Sequence, residues 1–581
     1  MRGDINMSGY ISFDGTMTRY PSRRSVAYGK NGMVCTSQTL AAQAGLDILK
    51  KGGNAVDAAI ATAISLTVLE PSSNGIGSDL FALIWYHGKL YGLNGSGPAP
   101  LKLTREAVLE KIAKTNGSMA VETGTGKIAS LSASAMPDKG WETVTVPGAP
   151  ASWKEMHRKF GAADFEDLFD AAIRYAEEGY PLQPICSRLW KKNAPKVMEL
   201  EGKLYAPVQE QFFQNKKMEP GALMKLPEMG KTLRELAKTG CRSFYEGNIA
   251  REITDFAKMT GGYITEEDLR SYRPEWVEPI SLDYRGYQVC EIPPNSHGLV
   301  VLMTLNILRH MELAGKEDPE TIHKQLEAMK IGYTDGKMYI ADPRYMKADV
   351  QYFLSDTYGS KRAAEIGNEA ILPRPVDLDC GGTVYLCTAD REGNMVSLIQ
   401  SHFQNFGSKL AVPGTGILLN NRGNNFSLDP RRDNCLAPGK KPYHTIIPGF
   451  LMKDGEAVGP FGVMGAFMQP QGQVQVVNNL IDFSLNPQEA LDAPRWQWIG
   501  GKTVEVEAAF DKETVAELRR RGHDVKVMED FTSFGRGQII LRQPDGVYAA
   551  ATEPRADGVV AAWGCGCFYC WQVEIYDIIK Y

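Results

Sequence analysis

Gly381-Gly382-Thr383-Val384-Tyr385-Leu386-Cys387-Thr388-Ala389-Asp390-Arg391-Glu392-Gly393-Asn394-Met395-Val396-Ser397-Leu398-Ile399-Gln400-Ser401 reads as two strands, Thr383 to Ala389 and Met395 to Ser401, joined by the turn Asp390 to Asn394. Just upstream, Leu372 to Gly382 holds Pro373, Pro375, Asp377, Asp379 and the Gly381-Gly382 pair, which is linker composition. Downstream the β texture continues, with further strands expected at Ile417 to Leu419, Thr445 to Leu451, Val504 to Val506 and Gln538 to Leu541. An amphipathic helix over Val474 to Ile481 and a shorter one from Pro487 lie among them.

The half before the linker alternates helices with short strands. Leu40 to Lys51 is amphipathic and stops at Gly52-Gly53, after which Asn54 caps a second helix running to Leu69. That second helix is apolar nearly all round and is expected to be buried. Phe81 to Tyr86 and Lys89 to Leu93 make a hairpin around His87-Gly88. Lys114 to Gly140 is rich in Gly, Ser, Thr and Ala and reads as a mobile surface insertion. Helical patterns run from Trp153 to Gly179 and on to Thr260, a strand follows Tyr284 to Tyr287 into the Pro293-Pro294 turn, and Leu299 to Leu313 is a strongly apolar helix. Strands and helices in two textures predict α/β layers.

Composition removes several function classes. The 581 residues suffice for two to four domains' worth of core, and 43% hydrophobic with 23% charged residues is globular. A net charge of -5 argues against nucleic acid or anionic membrane as the main partner. The longest uncharged apolar stretches, Ala58 to Leu69 and Val559 to Trp571, are shorter than the roughly 18 to 20 residues of a spanning helix. Met1 to Arg24 has no apolar segment of the kind a secretory signal carries, and the ten cysteines are scattered, so a cytoplasmic location without disulfides is expected. Only Cys565, Cys567 and Cys570 cluster, without a fourth metal ligand nearby. Gly75-Ile76-Gly77 lacks the third glycine of a dinucleotide loop, Leu80 standing there, and is read as a turn needing positive φ. No phosphate loop, His-Glu-x-x-His or Gly-x-Ser-x-Gly occurs. Of the eight histidines only His402 and His444 fall in glycine-rich segments, and most of the others are expected to be solvated or satisfied locally.

The quoted stretch resembles the γ-glutamyltransferase family, a branch of the N-terminal nucleophile hydrolases. Asn54-Ala-Val-Asp-Ala-Ala59, Tyr284-Arg-Gly-Tyr-Gln288 with Pro293-Pro294, Gly416-Ile-Leu-Leu-Asn-Asn421 and Gly465-Ala466 resemble it in the same order, over most of Lys30 to Gly564. The resemblance implies a four-layer αββα sandwich made as one precursor that cuts itself at Gly382-Thr383. The products would be a large subunit, residues 1–382, and a small one, residues 383–581, whose tail 565–581 extends past the family's usual end. Such a cut gives Thr383 both a hydroxyl nucleophile and a free α-amine, with a reference pKa of about 7.7 to 8.0, to act as its base. The resemblance further gives Ser401 the role of hydrogen-bonding the nucleophile, and Gly465-Ala466 that of supplying oxyanion N–H donors. The alanine keeps its N–H, so the hole survives on condition that φ stays negative at that residue. No cofactor and no metal are implied.

The sequence departs from the family where the amino-acid head group is held. Ser96 replaces the arginine for the α-carboxylate, Asn425 the aspartate for the α-ammonium, Arg422 a glutamine, Phe403 an asparagine, and His444-Thr445 a Ser-Ser pair. Losing both ionic anchors costs charge-assisted bonds of about 1.5 to 3 kcal/mol each. Arg422 is a new planar cation suited to a carboxylate, although a structural salt bridge to the large subunit would equally explain it. The expectation is an amidohydrolase for a small amide whose acyl group is acidic but lacks the α-amino group, similar to the family's acylases and its oxamate amidohydrolase. A true γ-glutamyltransferase or glutathione hydrolase, and an uncut binding or assembly protein of the same fold, are the alternatives. Acceptor and self-association are left open.

Overall fold

A computed structural model describes residues 24–116, 135–373 and 382–564. Two seven-stranded antiparallel sheets form the centre. One runs Val559–Trp563, Gly32–Thr36, Val384–Asp390, Met395–Ser401, Asp79–Tyr86, Lys89–Gly95, Glu275–Val277. The other runs Ala27–Gly29, Tyr548–Thr552, Arg536–Arg542, Glu456–Met464, Gly449–Lys453, Tyr287–Glu291, Ile280–Tyr284. Their inner faces meet closely enough that a Cβ on Gly462 would lie 2.5 Å from the Tyr385 ring. Helices Thr39–Lys50 and Ala55–Leu69 cover the first sheet, and Gly298–Leu308 and Met468–Ile481 the second, so the fold is a four-layer αββα sandwich.

Register explains what the layers position. Both members of the decisive hairpin are buried along their whole length, as their unbroken apolar runs require. Val384 pairs with Gln400, and on the far side of the hairpin Ser401 pairs with Asp79. Thr383, Ser401 and Asp79 therefore come from three neighbouring strands at one sheet end. Ala55–Leu69 is buried at every residue behind this sheet, and Asn54 and Asp57 close its N-terminus as a reciprocal capping box.

Several expectations shift. Gly298–Leu308 stops five residues short of Leu313, and the helix expected from Val474 begins at Met468. Ile417 to Leu419 makes only isolated bridges, Gly77 to Leu419 and Ala411 to Leu418, and the strand expected from Thr445 begins at Gly449. Gly75 and Gly77 do not adopt positive φ; they are small because the His402 ring and the Leu418 carbonyl oxygen lie where a Cβ would go, 2.7 and 2.1 Å away. The supposed insertion begins as the end of helix Arg105–Asn116, and Met136 and Gly140 pack at its other end. The remainder of that insertion, most of the 372–382 linker and the cysteine-containing tail lie outside the described residues. Among the described residues no helix is long and apolar enough to cross a membrane.

Candidate active site

Thr383 is buried immediately before the strand Val384–Asp390. Its Oγ lies 2.8 Å from the carbonyl oxygen of Gly382 and 3.0 Å from Ser401 Oγ, which is itself 2.8 Å from the same carbonyl. The Phe403 N–H donates to Ser401 Oγ at 2.8 Å and fixes that hydroxyl. Gly382 is confined: a Cβ there would be 2.5 Å from Asn405 Oδ1 and 3.0 Å from Ser73 Cα.

Beside this pair lies a second buried cluster. Arg422, at the start of the turn Arg422–Asn425, donates from Nη1 to Thr445 Oγ1 at 2.6 Å, and its Nε is 3.4 Å from Asp79 Oδ2. Its guanidinium stacks 4.9 Å from the Phe403 ring centre. The Ile446 N–H points at His444 Nδ1, so Nε2 carries the proton and donates to Asp79 Oδ2 at 3.0 Å. Burial raises Asp79 to about 7, against the pull of Arg422 and the Gly97 N–H, and lowers Arg422 to about 10. Burial also pushes His444 well below the usual histidine range, with the Arg422 charge adding to the effect, so its imidazole is neutral.

The other candidates fall around this core. Ser96 exchanges hydrogen bonds with Asn295 at 3.2 to 3.4 Å, and its neighbour Gly97 donates to Asp79. Asn425 is buried with its Nδ2 lacking a hydrogen-bond partner, as do Nε and Nη2 of Arg422. Gly465-Ala466 forms the approach to helix Met468–Ile481, whose Gln469 Nε2 reaches Thr383 Oγ at 3.5 Å. Ala466 has φ of 49°, so the condition of negative φ set for an alanine at this place is not met. Its carbonyl and that of Gly465 accept from Gln469 and Met468, and this turn into the helix sets the left-handed geometry.

The chain matches the gamma-glutamyltranspeptidase family over residues 41–563. It is 34% identical over 549 residues to the glutathione hydrolase-like YwrD proenzyme of Bacillus subtilis, covering 91% of this chain and 98% of that one. The oxamate amidohydrolase proenzyme of Klebsiella pneumoniae is 31% identical, with 92% and 98% covered. The crystal structure of cephalosporin acylase from Bacillus halodurans superposes with a TM-score of 0.89 at 52% identity, over 96% of this chain and all of that one. The chain belongs to the gamma-glutamyltranspeptidase family.

Within this gamma-glutamyltranspeptidase fold the site also contains residues that sequence reading missed. Asp79 follows Gly75-Ile76-Gly77, a segment read as a turn and not as a cofactor loop, and its partners Arg422 and His444 come from a turn and a loop more than 340 residues further along the chain. Gln469 stands one turn before the stretch read as helical. Of the histidines expected to be solvated or satisfied locally, His297, His323 and His523 are buried, and His323 and His523 hydrogen-bond each other; His402 and His444 are buried as well. Among the described residues, His323, Glu327 and His523 are the one grouping with metal-ligand spacing. There the Lys330 ammonium sits 2.7 Å from Glu327 Oε1, and a chain runs from Lys330 through His523 and His323 to the Gly367 carbonyl. None of these side-chain atoms lacks a partner, so the cluster is complete with its lysine as the cation.

Proposed function

We propose that this chain is a self-processing amidohydrolase of the acylase type, acting through Thr383 on small amides whose acyl group carries an acid and no α-amino group. The observation that carries it is the Thr383–Ser401–Gly382 triangle. With Thr383 donating to Ser401 and Ser401 to the Gly382 carbonyl, attack of Thr383 Oγ on the Gly382 carbonyl carbon relays one proton to the carbonyl oxygen. Collapse of that adduct returns the proton to the departing Thr383 nitrogen and leaves Gly382 esterified to Oγ. Water then splits the ester into a Gly382 carboxylate and a Thr383 with a free amine. In turnover the amine takes the hydroxyl proton, Oγ attacks the substrate amide, the protonated amine product leaves, and water hydrolyses the acyl-enzyme.

The acyl preference is supported by the second cluster. The Arg422 charge is partly matched by Asp79, so the structural salt bridge weighed from the sequence exists, to a residue of the large segment. Yet Arg422 Nη2 and Asn425 Nδ2 remain buried donors without acceptors, and a carboxylate on the acyl chain would supply them. Ser96, held by Asn295, offers no cation for an α-carboxylate. Relatives named acylase and oxamate amidohydrolase fit this chemistry.

The test is an intact-mass spectrum of the purified protein beside Thr383→Ala. Two wild-type chains meeting between Gly382 and Thr383, with the variant uncut, are expected. An uncut wild-type chain that hydrolyses no amide would replace this reading with that of a binding protein.

A further inference from the structure

The helix Met468–Ile481 carries glutamine at every second position from 469 to 475, and all four are buried. Alternate glutamines act on opposite sides. Gln471 and Gln475 each accept from and donate to the backbone of Trp498 and Trp496, respectively, so the helix side serves as a strand partner. Gln469 and Gln473 share one backbone residue: Ile447 donates its N–H to Gln469 Oε1 at 3.1 Å, and its carbonyl accepts from Gln473 Nε2 at 2.8 Å. Because an N–H occupies Oε1, the Gln469 amide has one orientation, and its NH2 group faces Thr383 Oγ.

We propose that Gln469 is a positioning residue for the nucleophile: its amide occupies a lone pair of Thr383 Oγ, directs the hydroxyl proton toward Ser401, and ties the nucleophile to the segment bearing His444 and Thr445. This rests on Thr383 being the nucleophile. The 3.5 Å separation is at the long end for a hydrogen bond in the uncut chain. Release of the Gly382-Thr383 bond frees Thr383 to settle against it. Once proton transfer begins, the same N–H faces the growing negative charge on Oγ, a place where a donor acts on rate more than on substrate binding. Ile447 couples the two functions, since the clamp that orients Gln469 also fixes the chain three residues beyond His444.

The test uses the full chain, with time-resolved intact mass for self-cleavage and glutaryl-p-nitroanilide as the amide probe. Gln469→Met keeps the volume and loses the donor. It is expected to slow cleavage and lower kcat by about tenfold to a hundredfold while KM stays within about threefold. Gln469→Glu keeps the Ile447 contact and can donate only when protonated, so its kcat should fall as pH rises through the carboxyl pKa, a limb the wild type lacks. Gln473→Met loosens Ile447 but leaves the donor, and should alter KM more than kcat. Cleavage and kcat at wild-type values in Gln469→Met overturn the proposal, as does a Gln469→Glu profile without the new limb. If instead Thr383→Ala is still cut and active, the reading of the nucleophile itself fails, whatever Gln469 does.

Discussion

Asp79 is a buried carboxyl that meets Arg422, His444 and the Gly97 N–H, and burial holds it near 7 in spite of them. A carboxyl raised on folding contributes stability that is full below its ordinary value of 3.8 and is lost as pH climbs through about 7. Protonated Asp79 also leaves the Arg422 charge unopposed, whereas ionised Asp79 competes with any anion brought to Arg422. The KM for an acyl group ending in carboxylate is therefore expected to rise as pH passes about 7. Asp79→Asn, which mimics the protonated form, should flatten both that rise and the decline of Tm between acid and neutral pH. A KM profile equally steep in Asp79→Asn would place the titration elsewhere. At the same scale, Gly382→Ala drives a methyl into Asn405 and the Ser73 backbone, so cleavage should slow in a mass-spectrometric time course. Thr383 and Ser401 were legible in the sequence because the resemblance marks both within one contiguous hairpin stretch. Asp79 and Gln469 were not, since their partners depend on a third strand and on a helix of the other sheet.

Helices Thr39–Lys50 and Ala55–Leu69 cross where Gly45 meets Thr62 and Ala58. A Cβ on Gly45 would lie 2.2 Å from Thr62 Oγ1 and 2.9 Å from the Ala58 carbonyl. The carbonyl belongs to a fully buried helix that cannot retreat without lifting off the sheet behind Thr383. Gly45→Ala should therefore destabilise by about 1 to 3 kcal/mol, measured as a lower denaturation midpoint, and Thr62→Ala in addition should restore only part. Both helices were readable from apolar runs and an Asn-x-x-Asp start. The start of Met468–Ile481 is hidden in the sequence because its first turns carry Pro470 and three glutamines, a loop-like composition that Ile447 and Trp498 satisfy only in the fold. Ile417 to Leu419 has a strand's composition but bridges only single residues of a loop and a neighbouring segment, which no local pattern specifies.

The whole molecule sets what a cut at Gly382-Thr383 would do. Strands from before and after that bond pair with one another in both sheets: Gly32–Thr36 is flanked by Val559–Trp563 and Val384–Asp390, Asp79–Tyr86 pairs with Met395–Ser401, Ala27–Gly29 with Tyr548–Thr552, and Tyr287–Glu291 with Gly449–Lys453. Asp79 and Arg422 meet across the same divide, as do Glu70 and Arg536. Neither piece therefore owns a complete sheet or a complete site, and the central ladders that would have to separate, Gly32–Thr36 with Val384–Asp390 and Met395–Ser401 with Asp79–Tyr86, are buried almost throughout. The cleaved protein is expected to elute from a sizing column with both pieces together, at the position of uncut Thr383→Ala, and to part only in denaturant. Pieces expressed apart should be insoluble or inactive, because each would expose the edges and apolar faces that the other covers. Independent folding of either piece, seen as a cooperative unfolding transition of its own, would contradict this interleaving. Wild-type protein that dissociates on the column under native conditions would do the same.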